Sequence, residues 1–336
     1  MIKNADVVIG LSLGDEGKGK VTNSLLKSGK YTHCVRFNGG HNAGHTIYKN
    51  GKKIVTHVIP TGLVQGVKSI IGPGCVTNAR LLDEEIQSLI EAGIDVKGKL
   101  LIDKRVNLIS SEHLHEDAMD VKIGTTKKGN GPAYRDKYAR KNVRFGDLPW
   151  KDPNFSVCDL YEELYDENEN TVLMEGAQAF GLDIDWGDYP FVTSSHCGVG
   201  SALQNGVPFN KLRHVYGVCK AYDTYVGNKT FEEDDETFSK IRDVGQEFGA
   251  TTGRPRQIRF LDLDFLVKSA RLNGVTHLIV NKIDVLEEVG VWKLKMDGKI
   301  KELSSKTEFI QSITSQMTSK VESINRIFYS ESPEEI

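Results

Sequence analysis

The loop Gly14-Asp15-Glu16-Gly17-Lys18-Gly19-Lys20 sets two carboxylates and two ammonium groups among three glycines. An apolar run at 7–9 leads into it, and Val21, Leu25 and Leu26 after it fit one face of a helix. Strand, glycine loop and helix start together hold phosphate. The glycines let backbone N–H groups come close, and the helix N-terminus and the lysines add positive charge. The spacing is that of a Walker A loop, but Val21 stands where a Ser or Thr would ligate magnesium. A carboxylate beside phosphate points to a metal ion, a proton transfer or both. The plainer alternative is a glycine turn with solvated charges.

Five further stretches carry chemistry. In FNGGHNAGHTI (37–47), His41 and His45 are four apart, but Gly39, Gly40 and Gly44 argue against a helix and so against a zinc pair. A loop histidine there can meet a phosphate or a developing oxyanion, or simply pack on backbone. IGTTKKGNGPAYRDKYAR (123–140) offers Thr125, Thr126, Lys127 and Lys128 to an anion and leads into a helix exposing Arg135 and Arg140. EGAQAFGLDIDWGDYPFVTSS (175–195) begins at a strand end. Gln178 and the hydroxyls of 193–195 are its binding groups, and Asp183, Asp185 and Asp188 lack the spacing of a calcium loop. EFGATTGRPRQIRF (247–260) gathers Arg254, Arg256 and Arg259, whose forks suit carboxylate or phosphate; of these Arg259 fits best as a strand-end surface charge. LIVNKID (278–284) ends an apolar run in Asn-Lys-x-Asp, where a carboxylate can accept both N–H donors of a guanine edge.

These groups need strand ends to position them. Apolar β-type runs recur at 7–9, 34–37, 69–71, 100–102, 172–174, 215–218 and 278–280, separated by helical patterns such as 78–92 and 261–273. Such alternation predicts an α/β fold, a large and mainly parallel central sheet flanked by helices, like a P-loop NTPase. Its ligands sit beyond the carboxyl ends of the strands. The acidic stretch 148–170 reads as a surface helix and loop. After Gly290 a hairpin turning at Asp297-Gly298 and a final helix over about 307–327 form a small C-terminal extension. No linker or repeat divides the chain, so 1–336 reads as one domain.

A net charge of −3 argues against nucleic acid, and no run is long enough to span a membrane. The N-terminus lacks a signal-peptide profile. Five cysteines without paired spacing suggest free thiols in a cytoplasmic protein, with neither a disulfide framework nor a zinc site.

Taken in order, GDEGKGK (14–20), GGHNAGHT (39–46), IPTG (59–62), IGTT with GPAYRDKYAR (123–140), EGAQ, LDID and VTSS (175–195), KAY (220–222), GATTGR (249–254) and NKID (281–284) resemble the adenylosuccinate synthetase family. The resemblance implies a GTP-dependent ligase that joins IMP to L-aspartate through 6-phosphoryl-IMP, releasing GDP and phosphate, with Mg²⁺ as cofactor. It implies Asp15 as general base and His45 as acid, with Lys18 and Gln178 completing the catalytic set. IMP would lie on Asp15, Glu16, Gly17, Lys18, Asn42, Ala43, Gly44, His45, Thr126, Gln178, Thr193 and Arg254. The partner subunit's Arg140 would reach it across a homodimer interface. GTP would take Gly14, Gly17, Lys18, Gly19, Lys20, Arg256, Lys282, Ile283 and Asp284. L-Aspartate would take Ala250, Thr251, Thr252, Gly253, Arg254 and Arg256, and magnesium Asp15 and the backbone of Gly44.

The chain departs from the family's usual pattern. It is shorter than common bacterial and eukaryotic members, around 148–170 and towards the C-terminus. Ser12-Leu13 replace Gln-Trp, Pro255 and Gln257 interrupt an arginine run, Tyr225 stands near a usual arginine, and YSESPEEI only partly matches the segment that closes over guanine. One alternative is therefore a phage-type relative that joins aspartate to dGMP or GMP, with ATP or dATP as a possible phosphate donor. A GTP-dependent switch is the reading from another class, supported by NKID and the phosphate loop; no DxxG motif follows the first strands at the usual place, and a switch needs neither His45 nor the Arg254 cluster.

Overall fold

All seven apolar runs become strands of one nine-stranded sheet in the computed structural model, which describes residues 1–49, 51–232, 235–249 and 253–336. In chain order the strands are β1 (Ile2–Gly10), β2 (His33–Arg36), β3 (Lys68–Ile71), β4 (Leu100–Asp103), β5 (Phe155–Cys158), β6 (Asn170–Glu175), β7 (Leu212–Lys220), β8 (His277–Asn281) and β9 (Arg326–Tyr329). Across the sheet they run β9-β8-β7-β1-β6-β2-β3-β4-β5, and every neighbouring pair is parallel.

A parallel sheet must be covered on both faces, and side chains alternate with a period of two. Ala5, Val7 and Ile9 of β1 join a core with the helices Leu263–Leu272 and Lys306–Lys320, including Leu266, Phe309 and Ile313. Val8 faces the other way, onto Val21 and Leu26 of α1 (Lys18–Leu26). The expected helix at 78–92 forms as Ala79–Glu91, with Asn78 as N-cap accepting from the Leu81 N–H. It buries Leu82, Glu85, Ile86 and Leu89. Glu85 then accepts the backbone N–H groups of His57, Val58 and Ile59, fixing the chain behind the His45 hairpin.

The hairpin after Gly290 forms as Lys293–Met296 and Lys299–Glu302, with φ positive at both Asp297 and Gly298. It belongs to a second sheet of four strands, with Tyr222–Tyr225 and Gln257–Asp262.

Two expectations need correction. The final helix stops at Lys320, and Ile327 lies in β9, paired in parallel with β8. The helical spacing of Phe309, Ile313 and Met317 ends there, and the apolar Ile327-Phe328-Tyr329 completes the sheet edge. The stretch 148–170 is also more than a surface helix and loop. It supplies the opposite edge strand, β5, and then the short helix Leu160–Leu164, whose Leu160 and Leu164 are buried. Its acidic residues hid these few inward positions. Among the described residues, no helix is long and apolar enough to cross a membrane.

Candidate active site

The strands β1, β2, β6, β7 and β8 end around one cavity of about 1440 Å³. The glycine loop follows β1, and its acidic pair splits. Asp15, at φ +59°, lines the cavity with its carboxylate partly exposed. Glu16 turns inward, is buried, and accepts the N–H groups of Ser12 at 3.2 Å and Gly14 at 2.8 Å. It also pairs with Lys18 at 2.6 Å. Both residues line the cavity, but the Glu16 carboxylate is spent on shaping the loop and the Asp15 carboxylate is not. Val21 is wholly buried against the sheet, so the position of the Walker hydroxyl faces the core. Gly19 allows α1 to lie against His45: a Cβ there would sit 2.8 Å from the His45 Cβ.

Parallel register builds the next feature. Arg36 and Glu175 are the last residues of neighbouring strands β2 and β6 and stand side by side. Both are buried, with Arg36 Nη2 3.4 Å from Glu175 Oε1. His45 opens the strand His45–Lys49 and lines the cavity. Its Nδ1 hydrogen-bonds Glu175, and its Nε2 faces Arg36 Nη1 at 3.3 Å. A guanidinium can only donate and a carboxylate can only accept, so Glu175 favours a proton on Nδ1 and Arg36 Nη1 an unprotonated Nε2, while Arg36 Nη2, 3.2 Å from Nδ1, opposes the first of these. Burial first, and then Arg36, push its pKa down to about 4. Burial would raise that of Glu175, but Arg36 and His45 hold it at about 2. The Thr61 N–H takes the other Glu175 oxygen at 2.8 Å. Sequence reasoning missed Arg36 and Glu175. The signals were their place at the ends of two apolar strands that each precede a glycine motif and, for Glu175, its position at the head of EGAQ. His41 is a packing residue, buried with Nε2 2.8 Å from the Thr77 hydroxyl.

The arginine loop reaches Asp15 from across the cavity. Arg256 Nε lies 2.9 Å from Asp15 Oδ2 as an ion pair, without the alignment of a hydrogen bond. Its Nη1 donates to Glu247, which is fully buried and also accepts from Lys220 and Tyr222. Burial opposes ionisation of Glu247, yet Lys220 and Arg256 hold its pKa at about 2. This buried anchor was also missed in the sequence. Arg254 lines the cavity, whereas Arg259 pairs with Asp223 at 3.2 Å and stacks on Phe231. Ala250, Thr251 and Thr252 lie outside the described residues, and Gly253 is not in the cavity wall.

Asn42, Ala43, Gly44, Thr126, Gln178 and Thr193 line one side. Asn42 reaches the Thr193 hydroxyl at 3.4 Å and accepts from Asn130 at 3.0 Å. Gln178, at φ +56°, keeps a buried amide oxygen with no hydrogen-bond partner among the described residues. A polar atom so placed in a cavity wall is ready for a ligand. At the far end Gly17, Lys20, Lys282 and Asp284 line the wall, while Ile283 is buried in the core. Asn281 donates to the Glu16 carbonyl at 2.6 Å, tying the end of β8 to the glycine loop. Arg140 is exposed and outside the cavity wall.

The departures in sequence fall at distinct places. Ser12 is buried beneath the loop, whereas Leu13 and Tyr225 line the cavity. Asp183 accepts the N–H groups of Asp185, Trp186 and Cys197 and so shapes its own loop.

The adenylosuccinate synthetase family model matches residues 7–165 and 152–327. The adenylosuccinate synthetase of Chlorobium phaeobacteroides is 39% identical, over 89% of this chain and 81% of its own. That of Chlorobaculum parvum is 41% identical, over 88% and 81%. Among solved structures, fully ligated adenylosuccinate synthetase from Plasmodium falciparum superposes with a TM-score of 0.83 at 27% identity, covering 98% of each chain. The succinoaminodeoxyadenylate synthetase of cyanophage S-2L, bound to dGMP and dATP, shares the fold with a TM-score of 0.72 at 20% identity, over 94% of this chain and 100% of its own. The chain belongs to the adenylosuccinate synthetase family.

Proposed function

We propose that this protein is a ligase that joins IMP to L-aspartate at the expense of GTP. The observation that carries the reading is the convergence of Asp15, the Arg36–His45–Glu175 cluster and the Asn281–Asp284 corner on one cavity. Asp15 takes the proton from N1 of the purine as O6 accepts the γ-phosphoryl group and GDP is released. The aspartate amine then adds at C6, loses a proton, and phosphate leaves with O6. Phosphorylation has turned a poor leaving oxygen into a good one.

His45 is the acid at the transferring phosphoryl group. An anion beside the ring favours the imidazolium, and Glu175 on Nδ1 supports a second proton on Nε2. Lys18 and the loop N–H groups stabilise the phosphoryl charge. Gln178, Asn42, Thr126, Thr193 and Arg254 orient IMP. Arg256, Arg254 and residues 250–253 take the aspartate carboxylates. Asp284 reads guanine, with Lys282 beside it.

The Asp15 carboxylate and the Gly44 backbone both front the cavity and offer the oxygen donors that Mg²⁺ prefers. They would hold the ion, which supplies charge neutralisation at the phosphates. Arg140, exposed at the end of the helix Asn130–Tyr138, would serve the partner's site in a homodimer. Residues 1–336 act as one domain, and the free thiols suit a cytoplasmic enzyme.

A phosphate-release assay with L-aspartate, Mg²⁺ and each pairing of IMP, GMP or dGMP with GTP, ATP or dATP tests the reading. Aspartate-dependent turnover with IMP and GTP supports it. Turnover confined to dGMP would move the enzyme to the phage-type reaction, and GTP hydrolysis indifferent to aspartate would make it a switch.

A further inference from the structure

Lys20 is the lysine that Walker-like spacing would send to phosphate, yet its side chain goes elsewhere. It is buried, and Nζ donates to the Ser330 hydroxyl at 2.7 Å and to the Ser332 carbonyl at 2.9 Å. Both acceptors lie just beyond β9. Ser330 is held from its other side as well: its N–H donates to the Val280 carbonyl at 2.9 Å, and its carbonyl accepts from the Ile283 N–H at 3.3 Å. Its hydroxyl donates in turn to the Glu335 carbonyl. The turn 330–335 therefore curls around the ammonium. Ser332 and Pro333 then line the cavity together with Lys20, Asn281, Lys282 and Asp284. Burial lowers the Lys20 pKa to about 8, with Asp284 opposing the shift. A second tie, Lys306 to Glu331, is a surface pair, which contributes less.

We infer that Lys20 is a positioning residue for base selection: it holds the C-terminal turn against the Asn281–Asp284 corner, so that the chain end forms one wall of the pocket for the base of the nucleoside triphosphate. The inference rests on the reading of that corner as the guanine site. A phosphate ligand serves GTP and ATP alike, because the triphosphate is common to both. A wall of the base pocket serves the preferred base more than the other.

The test compares wild type with Lys20→Met, Lys20→Arg and Ser330→Ala. kcat/KM is measured for GTP and for ATP at saturating IMP and aspartate, with the thermal midpoint of each variant. Lys20→Met is expected to lower the GTP-over-ATP ratio about three- to tenfold, the effect of losing positioning hydrogen bonds. Ser330→Ala should lower it less, and Lys20→Arg should restore most of it. Equal fractional losses with GTP and ATP overturn the inference. Amide hydrogen exchange of the segment 330–335 tests the tether separately and needs no substrate. Faster exchange in Lys20→Met than in wild type is expected, and unchanged exchange overturns the inference. A wild type without GTP preference refutes the guanine reading, while the exchange result still decides whether Lys20 holds the turn.

Discussion

Asp15 and Glu16 are adjacent in the chain and both line the cavity, yet only Glu16 has its carboxylate tied to the N–H groups of the loop. Asp15→Asn keeps the shape and removes the base. It is expected to cut kcat by about 10²-fold or more, with a thermal midpoint near that of wild type; near-normal turnover would sink the role. His45 carries a pH signature. Its folded value of about 4 lies below the ordinary 6.5, so the unfolded chain binds that proton first as pH falls. Its contribution to stability is complete above pH 6.5 and is lost as pH falls to 4. Glu175, held at about 2 against an ordinary 4.5, adds a second loss between those values. In urea midpoints measured across pH, His45→Asn should flatten the upper window and narrow the lower one, because Arg36 is then left without His45 in holding Glu175 down. The same variant should lose at least about 10²-fold in kcat; a rise in KM alone would reassign His45 to binding.

At the scale of elements, strand ends and α1 do the placing. Val21 lies in the core between α1 and the sheet because the helix needs an apolar face there. Val21→Thr completes the Walker spacing in sequence but buries a hydroxyl. Its expected cost is about 1–3 kcal/mol of stability by urea unfolding, with no gain in turnover. A faster enzyme would show that this position faces the phosphates after all. The same logic explains why Gly19 must stay small: α1 rests on the His45 backbone, and the hairpin that starts at His45 carries the proposed acid.

At the scale of the molecule, five parallel strands deliver their ends to one cavity, whereas Arg140 is exposed and lies outside its wall. In the proposed dimer each site would combine Asp15 of one chain with the partner's Arg140. Mixing inactive Asp15→Asn with weakened Arg140→Ala should then restore about a quarter of wild-type activity, since half the dimers are mixed and each has one intact site. Activity that stays at the sum of the two variants would place Arg140 outside the partner's site.

The glycine loops, the Asn-Lys-Ile-Asp corner and the apolar strands were legible in the sequence because each is local. A glycine at a tight turn, or a run of Val and Ile, states its conformation within a few residues. Asp15, His45, Gln178 and Asp284 could be read as cavity residues on those grounds. Only the tertiary structure paired Arg36 with Glu175, 139 residues apart, because the register of β2 on β6 is a property of the sheet and not of either strand. It alone turned Lys20 from phosphate to the chain end, 310 residues away, and made 326–329 an edge strand where local periodicity suggested more helix. Buried charges such as Glu175 and Glu247 must find partners wherever the fold brings them, and no local pattern records which partner that is.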